Sequence, residues 1–132
     1  RQRLQEALNS ANKAVELAPD DSTAHAVRAF VLDWNALPQL AGDQAPSLLV
    51  QAEQEAVTAI NLDPRNTLAL AYYAEILVDQ QKWNQAEQYI QQALERDPNL
   101  MDVHRVHGYV LESTKQYRAA IEAYQKALEA TP

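Results

Sequence analysis

Apolar residues recur along this chain at steps of three and four, as in Ala120, Tyr124, Ala127 and Leu128, the spacing that gathers side chains on one face of an α-helix. The segments that carry this pattern close at prolines. Pro64, Pro98 and Pro132 are evenly spaced with a period of 34, and Pro19 precedes Pro64 by 45, one more period lengthened by an insertion of 11. Aligning the segments on these prolines brings other columns into register. Ala14, Ala59, Ala93 and Ala127 stand five residues before the proline, and Ala7, Ala52, Ala86 and Ala120 twelve before. Val15, Ile60, Leu94 and Leu128 fill the column next to the first of these with branched aliphatic side chains.

Alanines on a helix face let two helix axes approach closely, and large residues such as Tyr124, Ile90, Trp83 and Tyr117 are expected to fill the space between helices. Proline just past a helix cannot continue its hydrogen-bond ladder, and Asp20, Asn66 or Asn99 then offers a side-chain cap for the next helix. The pattern predicts seven helices, over about 3–17, 22–36, 46–61, 67–80, 83–95, 101–114 and 117–130. Six of them form three hairpins. Residues 1–17 read either as the second helix of a repeat whose first helix is missing or as a capping helix. The expected organisation is one domain over 1–132, with a half repeat at 1–19 and repeats at 20–64, 65–98 and 99–132, excised from a longer protein. The insertion falls at 36–46, where Pro38 and Gly42 predict a loop. Leu37 and Leu40 in it either pack back over the hairpin or present an apolar edge.

The last hairpin, with Gly108, Tyr117, Ala120, Tyr124, Ala127 and Pro132, resembles the tetratricopeptide repeat, a helix–turn–helix unit with this same period. The middle hairpin is similar to it through Ala74, Leu77, Trp83, Ala86, Ile90, Ala93 and Pro98. Departures occur at Arg28, Tyr73 and His107, where the family usually has Leu, and at Ala11 and Ala56, where it prefers an aromatic residue. The resemblance implies an all-α, right-handed superhelical solenoid of about seven antiparallel helices. It also implies a groove, lined by the first helices, that holds a segment of another protein. Independently, stacked hairpins that touch only their neighbours leave a continuous surface suited to binding and poor at enclosing chemistry.

On each first helix one face must meet its partner, and His25, Ala29 and Leu32, then Leu70, Ala74 and Leu77, then His104, Gly108 and Leu111 have that spacing. The opposite face then carries Thr23, Ala26, Phe30 and Asp33; Leu68, Ala71, Glu75 and Val78; and Asp102, Arg105, Tyr109 and Glu112. This is the predicted peptide-binding lining, with Asp79, Asp20 and Asp21 near its rim. Four acids (Asp33, Glu75, Asp102, Glu112) against Arg105 give it a charge of -3, which favours a basic or amphipathic partner. Phe30 and Tyr109 are either anchors for partner side chains or packing between repeats. The chaperone-binding members of the family grip a C-terminal carboxylate with cationic and amide side chains. Here the lining offers Ala26, Phe30, Leu68, Ala71 and Tyr72, with Arg105 as its cation, so that grip is not expected.

Composition narrows the chemistry further. Among the 132 residues there are two glycines, too few for the turns of a β-rich fold, and no cysteines, which excludes thiolate nucleophiles, disulfides and Cys-based metal sites. A net charge of -7 opposes binding to a nucleic-acid backbone, and the -3 charge of the lining sets aside the RNA-binding helical repeats of similar length. No uncharged apolar stretch is long enough to span a bilayer, and the N-terminal residues lack a secretory h-region. His104 and His107, three apart, could ligate a metal beside Asp102, but both fall in inward columns with no third ligand at a motif spacing. Glu53 with Glu55, and Asp20 with Asp21, read as solvated surface and capping. With neither a Gly-rich phosphate loop nor a nucleophile elbow, no enzyme, cofactor or metal is expected. The partner is a protein or peptide, and the rival readings are a structural or self-associating segment, a homodimer through the repeat edges, and a regulatory domain of a larger enzyme.

Overall fold

The structure, a computed structural model, describes residues 2–131; Arg1 and the expected closing proline, Pro132, lie outside the described residues. Among those residues the chain is all-α. Its long helices are α1 (Gln2–Leu17), α2 (Ser22–Asn35), α4 (Ala45–Leu62), α5 (Thr67–Asp79), α6 (Trp83–Arg96), α7 (Met101–Ser113) and α8 (Tyr117–Ala130). These match the seven expected from the apolar spacing. The insertion is not an open loop: it folds as the single-turn helix α3 (Pro38–Ala41) and a 3-10 turn (Gly42–Gln44) that leads into α4. Pro38 opens α3 and Gly42 closes it with φ +55, a left-handed conformation that other side chains adopt only under strain.

Two compact units are built, residues 1–69 and 70–132, with the boundary in the first turn of α5. In the first, α1 and α4 both pack on α2. The alanine columns close their contact: Ala11, Ala29, Ala52, Ala56 and Ala59 are buried, with Leu32 among them. On α1 itself Ala14 is exposed and Ala7 half-buried, so the columns close only on helices preceded by a first helix of their own hairpin. In the second unit Ala74, Leu77, Ala86, Ile90 and Ala93 are buried, as are Val103, Val106, Val110, Ala120 and Ala127. Two expected space-fillers are not: Trp83 and Tyr117 begin their helices with much of the ring in solvent. Leu128 is 75 % exposed.

The hairpin tips follow one rule, broken once. Gln81 and Lys115, at the same position of successive repeats, take φ 63 and φ 66. This left-handed turn lets Lys82 N donate to Leu77 O at 2.8 Å and Gln116 N to Leu111 O at 2.8 Å, the wrap that satisfies the last carbonyls of a helix. The corresponding residue of the first hairpin, Ala36, stays at φ -85. There the chain does not turn back, and the insertion begins. Leu40 lines a cleft with Leu4, Leu8 and Leu48 and so packs back over α1, whereas Leu37 remains exposed.

Helix starts differ from the sequence expectation at two of three points. Asp21, not Asp20, caps α2, its carboxylate accepting from Thr23 N at 2.9 Å and Ala24 N at 3.3 Å. Asn66 does cap α5 through Ala69 N at 3.3 Å. Leu100 precedes α7 with no side-chain cap, and Asn99 instead donates its backbone N–H to Asp97.

Candidate functional site

In the second unit α5 and α7 bring together most of the charged lining expected from the sequence. Arg105 on α7 reaches Glu75 on α5 with both terminal nitrogens, Nη1 to Oε2 at 2.9 Å and Nη2 to Oε1 at 3.1 Å. Its Nε donates to Asp102 Oδ1 at 3.4 Å, and Tyr72 donates its hydroxyl to Asp102 Oδ2 at 3.4 Å. The Tyr109 hydroxyl donates to Asp79, and Tyr124 donates to Glu112 at 2.7 Å. The planar guanidinium fork suits this bidentate role, which a lysine could not fill.

Burial and charge oppose each other at this cluster. Glu75 is only 5 % exposed, and burial pushes its carboxyl above the usual range, with Asp79 and Asp102 adding to the effect and Arg105 opposing it. The Tyr72 and Tyr124 hydroxyls are likewise held protonated, by burial first and then by the carboxylates they face. On this face of the second unit Glu75, Asp79, Asp102 and Glu112 surround one cation, whose donors are engaged by Glu75 and Asp102. Ala71 and Val78, expected in the lining, are buried.

The remaining lining residues lie in the first unit. Thr23 is exposed, Phe30 and Leu68 are half-buried, and Ala26 and Asp33 are closed to solvent. Phe30 packs edge-on against Trp34, their ring centroids 6.0 Å apart. Val27 and Trp34 are exposed on the same side of α2 as Phe30, at steps of three and four, and Leu37 is exposed just past the helix. Sequence reasoning named Phe30 and missed Val27 and Trp34, although their spacing from it was the available signal.

The departures at Arg28, Tyr73 and His107 are explained by the helix that each faces. All three stand nine residues past a repeat proline, opposite the position nine before the next one. In the first hairpin that pair is Arg28 with Glu55, an ion pair, and Arg28 Nε also donates to Asn12 Oδ1 on α1 at 2.8 Å. In the second it is Tyr73 with Tyr89, rings 4.6 Å apart. In the third the positions are held by His107 and Ala123, and burial lowers the His107 pKa. His104 is inward-facing as expected, its Nε2 donating to Pro98 O at 2.5 Å. Among the described residues no three His, Asp or Glu side chains come together to hold a metal ion, and no helix is long and apolar enough to cross a membrane.

Residues 73–132 match the family model of the tetratricopeptide repeat. A comparison with curated proteins finds no significant match. Among solved structures, a thermophilic tetratricopeptide-repeat protein of Thermus thermophilus, TTC0263, superposes with a TM-score of 0.81 at 18 % identity, over 99 % of this chain and 67 % of its own. MamA of MSR-1 superposes with a TM-score of 0.59 at 18 % identity, over 97 % of this chain and 67 % of its own. A second MamA structure gives a TM-score of 0.60 at 16 % identity, over 96 % of this chain and 63 % of its own. The chain thus spans about two thirds of the length of these neighbours, and the likeness is one of fold.

Proposed function

We propose that the first helices of this chain hold a basic or amphipathic segment of another protein, since residues 73–132 match the tetratricopeptide repeat and such repeats generally mediate contacts between proteins. The observation that carries this reading is the carboxylate face on α5 and α7. Glu75, Asp79, Asp102 and Glu112 lie there, and the one cation among them is tied to two of these acids. A peptide ammonium or guanidinium group gains from that field, while an acidic peptide is repelled by about 1–4 kcal/mol per close pair. On the first unit the exposed Val27 and Trp34 beside Phe30 offer an apolar surface of their own, aromatic side chains being the usual anchors of protein contacts. No catalytic role is proposed.

The test is fluorescence anisotropy with two labelled helical peptides of matched length, one built from Lys and Leu and one from Glu and Leu. The Lys peptide should bind, more weakly as salt rises and when Asp79→Asn is combined with Glu112→Gln. Equal binding of both peptides, or of neither, would overturn the proposal.

A second reading, self-association, is supported by α8. Tyr117, Ile121 and Leu128 are exposed and fall in one narrow stripe of that helix. Under this reading the mass measured by light scattering rises with concentration, and Ile121→Glu with Leu128→Glu abolishes the rise.

A further inference from the structure

His25 and His104 occupy the same place in their repeats, six residues past Pro19 and Pro98. Each turns Nε2 to the carbonyl of that proline, His25 at 2.7 Å and His104 at 2.5 Å. A carbonyl can only accept, so Nε2 carries a proton in both. Their other nitrogens differ. Nδ1 of His104 is buried with no hydrogen-bond partner, which suits a neutral ring. Nδ1 of His25 stands 2.5 Å from Glu55 Oε2 on α4, and a carboxylate at that distance requires a second N–H. The difference traces to one column: Glu55 in the first hairpin corresponds to Ala123 in the third.

We propose that the His25–Glu55 contact is a proton-operated latch between α2 and α4, closed while the imidazole is doubly protonated and opened as pH rises. With two acceptors in place, a neutral ring can serve only one. In His104, which no carboxylate faces, the N–H sits on the proline carbonyl, and the latch requires a neutral His25 to place its single N–H in the same way. The Nδ1 lone pair then faces the Glu55 carboxylate, and the two repel. Glu55 is not left unpaired, because Arg28 holds its other oxygen, so His25 is the partner that yields. The contact that parts is between two residues in the wall of a cleft of about 310 Å³, lined also by Arg28, Gln51, Gln54 and Thr58, so parting it opens that wall. The charged groups that face His25 are Glu55 from α4 and Arg28 from α2, while the α1–α2 junction contributes the Pro19 carbonyl. Burial disfavours the charged ring, and Arg28 does too. The hydrogen bonds to Glu55 and Pro19 and the field of Glu55 outweigh them and raise the pKa above 6.5. The sign follows: the latch is fully closed below the unfolded value of 6.5 and lost as pH rises through the higher folded value.

The test is a pH titration of the whole chain by NMR, reading the imidazole resonances of His25 and His104 separately. The expected result is a His25 midpoint above about 6.5, together with a resonance change at the Gln51, Gln54 and Thr58 amides over the same range. Glu55→Gln should move the His25 midpoint down and remove the coupled change on α4. A His25 midpoint at or below about 6.5 in the unaltered protein overturns the proposal, as does a titration that leaves the α4 amides unmoved. The readout on the unaltered chain needs no variant to fold, and no bound peptide, so it stands or fails apart from the binding role above.

Discussion

Gly108 on α7 and Tyr124 on α8 fit each other so closely that a Cβ on Gly108 would stand 2.6 Å from Tyr124 Cδ1 and Cε1. The ring therefore lies directly on the backbone of α7, and its hydroxyl is fixed at Glu112. Gly108→Ala should cost about 1–3 kcal/mol in urea unfolding, because the ring must leave its seat to admit the methyl group. Tyr124→Leu placed in that background should recover part of the loss, since the three atoms nearest the added methyl group all belong to the ring. A Gly108→Ala protein as stable as the original would show that the ring is free to move.

The left-handed residues at the hairpin tips give a prediction of opposite sign. Gln81 and Lys115 hold φ 63 and φ 66, a conformation that costs a residue with a Cβ about 1 kcal/mol and glycine almost nothing. Gln81→Gly and Lys115→Gly should each raise stability by several tenths of a kcal/mol, after the greater freedom of glycine in the unfolded chain is subtracted. Ala36→Gly, at φ -85, should lower it. Thermal unfolding of the three variants checks the order.

Two asparagines that look alike in sequence should behave differently. Asn66 caps α5 and donates Nδ2 to Ser22 Oγ at 2.9 Å, while Ser22 donates to Ala59 O at 2.7 Å. Asn66→Ala should cost about 1–2 kcal/mol in urea unfolding. Asn99 caps nothing, and Asn99→Ala should change stability by less than about 0.5 kcal/mol.

The Glu75–Arg105 pair predicts a pH effect. The folded Glu75 carboxyl is raised above 4.5 by burial against the pull of Arg105, so the folded state binds the proton more tightly than the unfolded chain. Its contribution to stability is fully present below 4.5 and is lost as pH rises through the higher folded value. Compared with Glu75→Gln, the unaltered protein should therefore lose stability over that interval. Arg105→Met, which leaves the carboxylate unpaired, should cost about 1–3 kcal/mol at neutral pH and less in acid, a range set by the partial exposure of Arg105.

The helices were legible because proline spacing and alanine columns are local signals repeated along the chain. The caps were less so: Asp20 and Asp21 are adjacent and equally suited by type, and only backbone geometry at Asp21, φ -88 and ψ 111, selects between them. The insertion read as a loop because Pro38 and Gly42 are turn residues, yet Pro38 suits a helix start and Gly42 a helix end as well. The charged face was visible residue by residue, but not that Arg105 joins Glu75 and Asp102, which depends on how α5 and α7 pack. Arg28, Tyr73 and His107 looked like defects in a leucine column. They make sense only beside Glu55, Tyr89 and Ala123, which stand on the second helix of each hairpin, where periodicity along a single helix cannot pair them.

The contrast between Ala36 and its two counterparts marks where this architecture accepts extra polypeptide. A tip whose terminal residue remains right-handed lets the chain depart and return without disturbing the helices on either side, as the segment between Ala36 and Ala45 already demonstrates. A reporter peptide spliced in beside Gly42 would extend a detour that exists, whereas the same graft after Gln81 or Lys115 would have to undo a closed wrap of hydrogen bonds first.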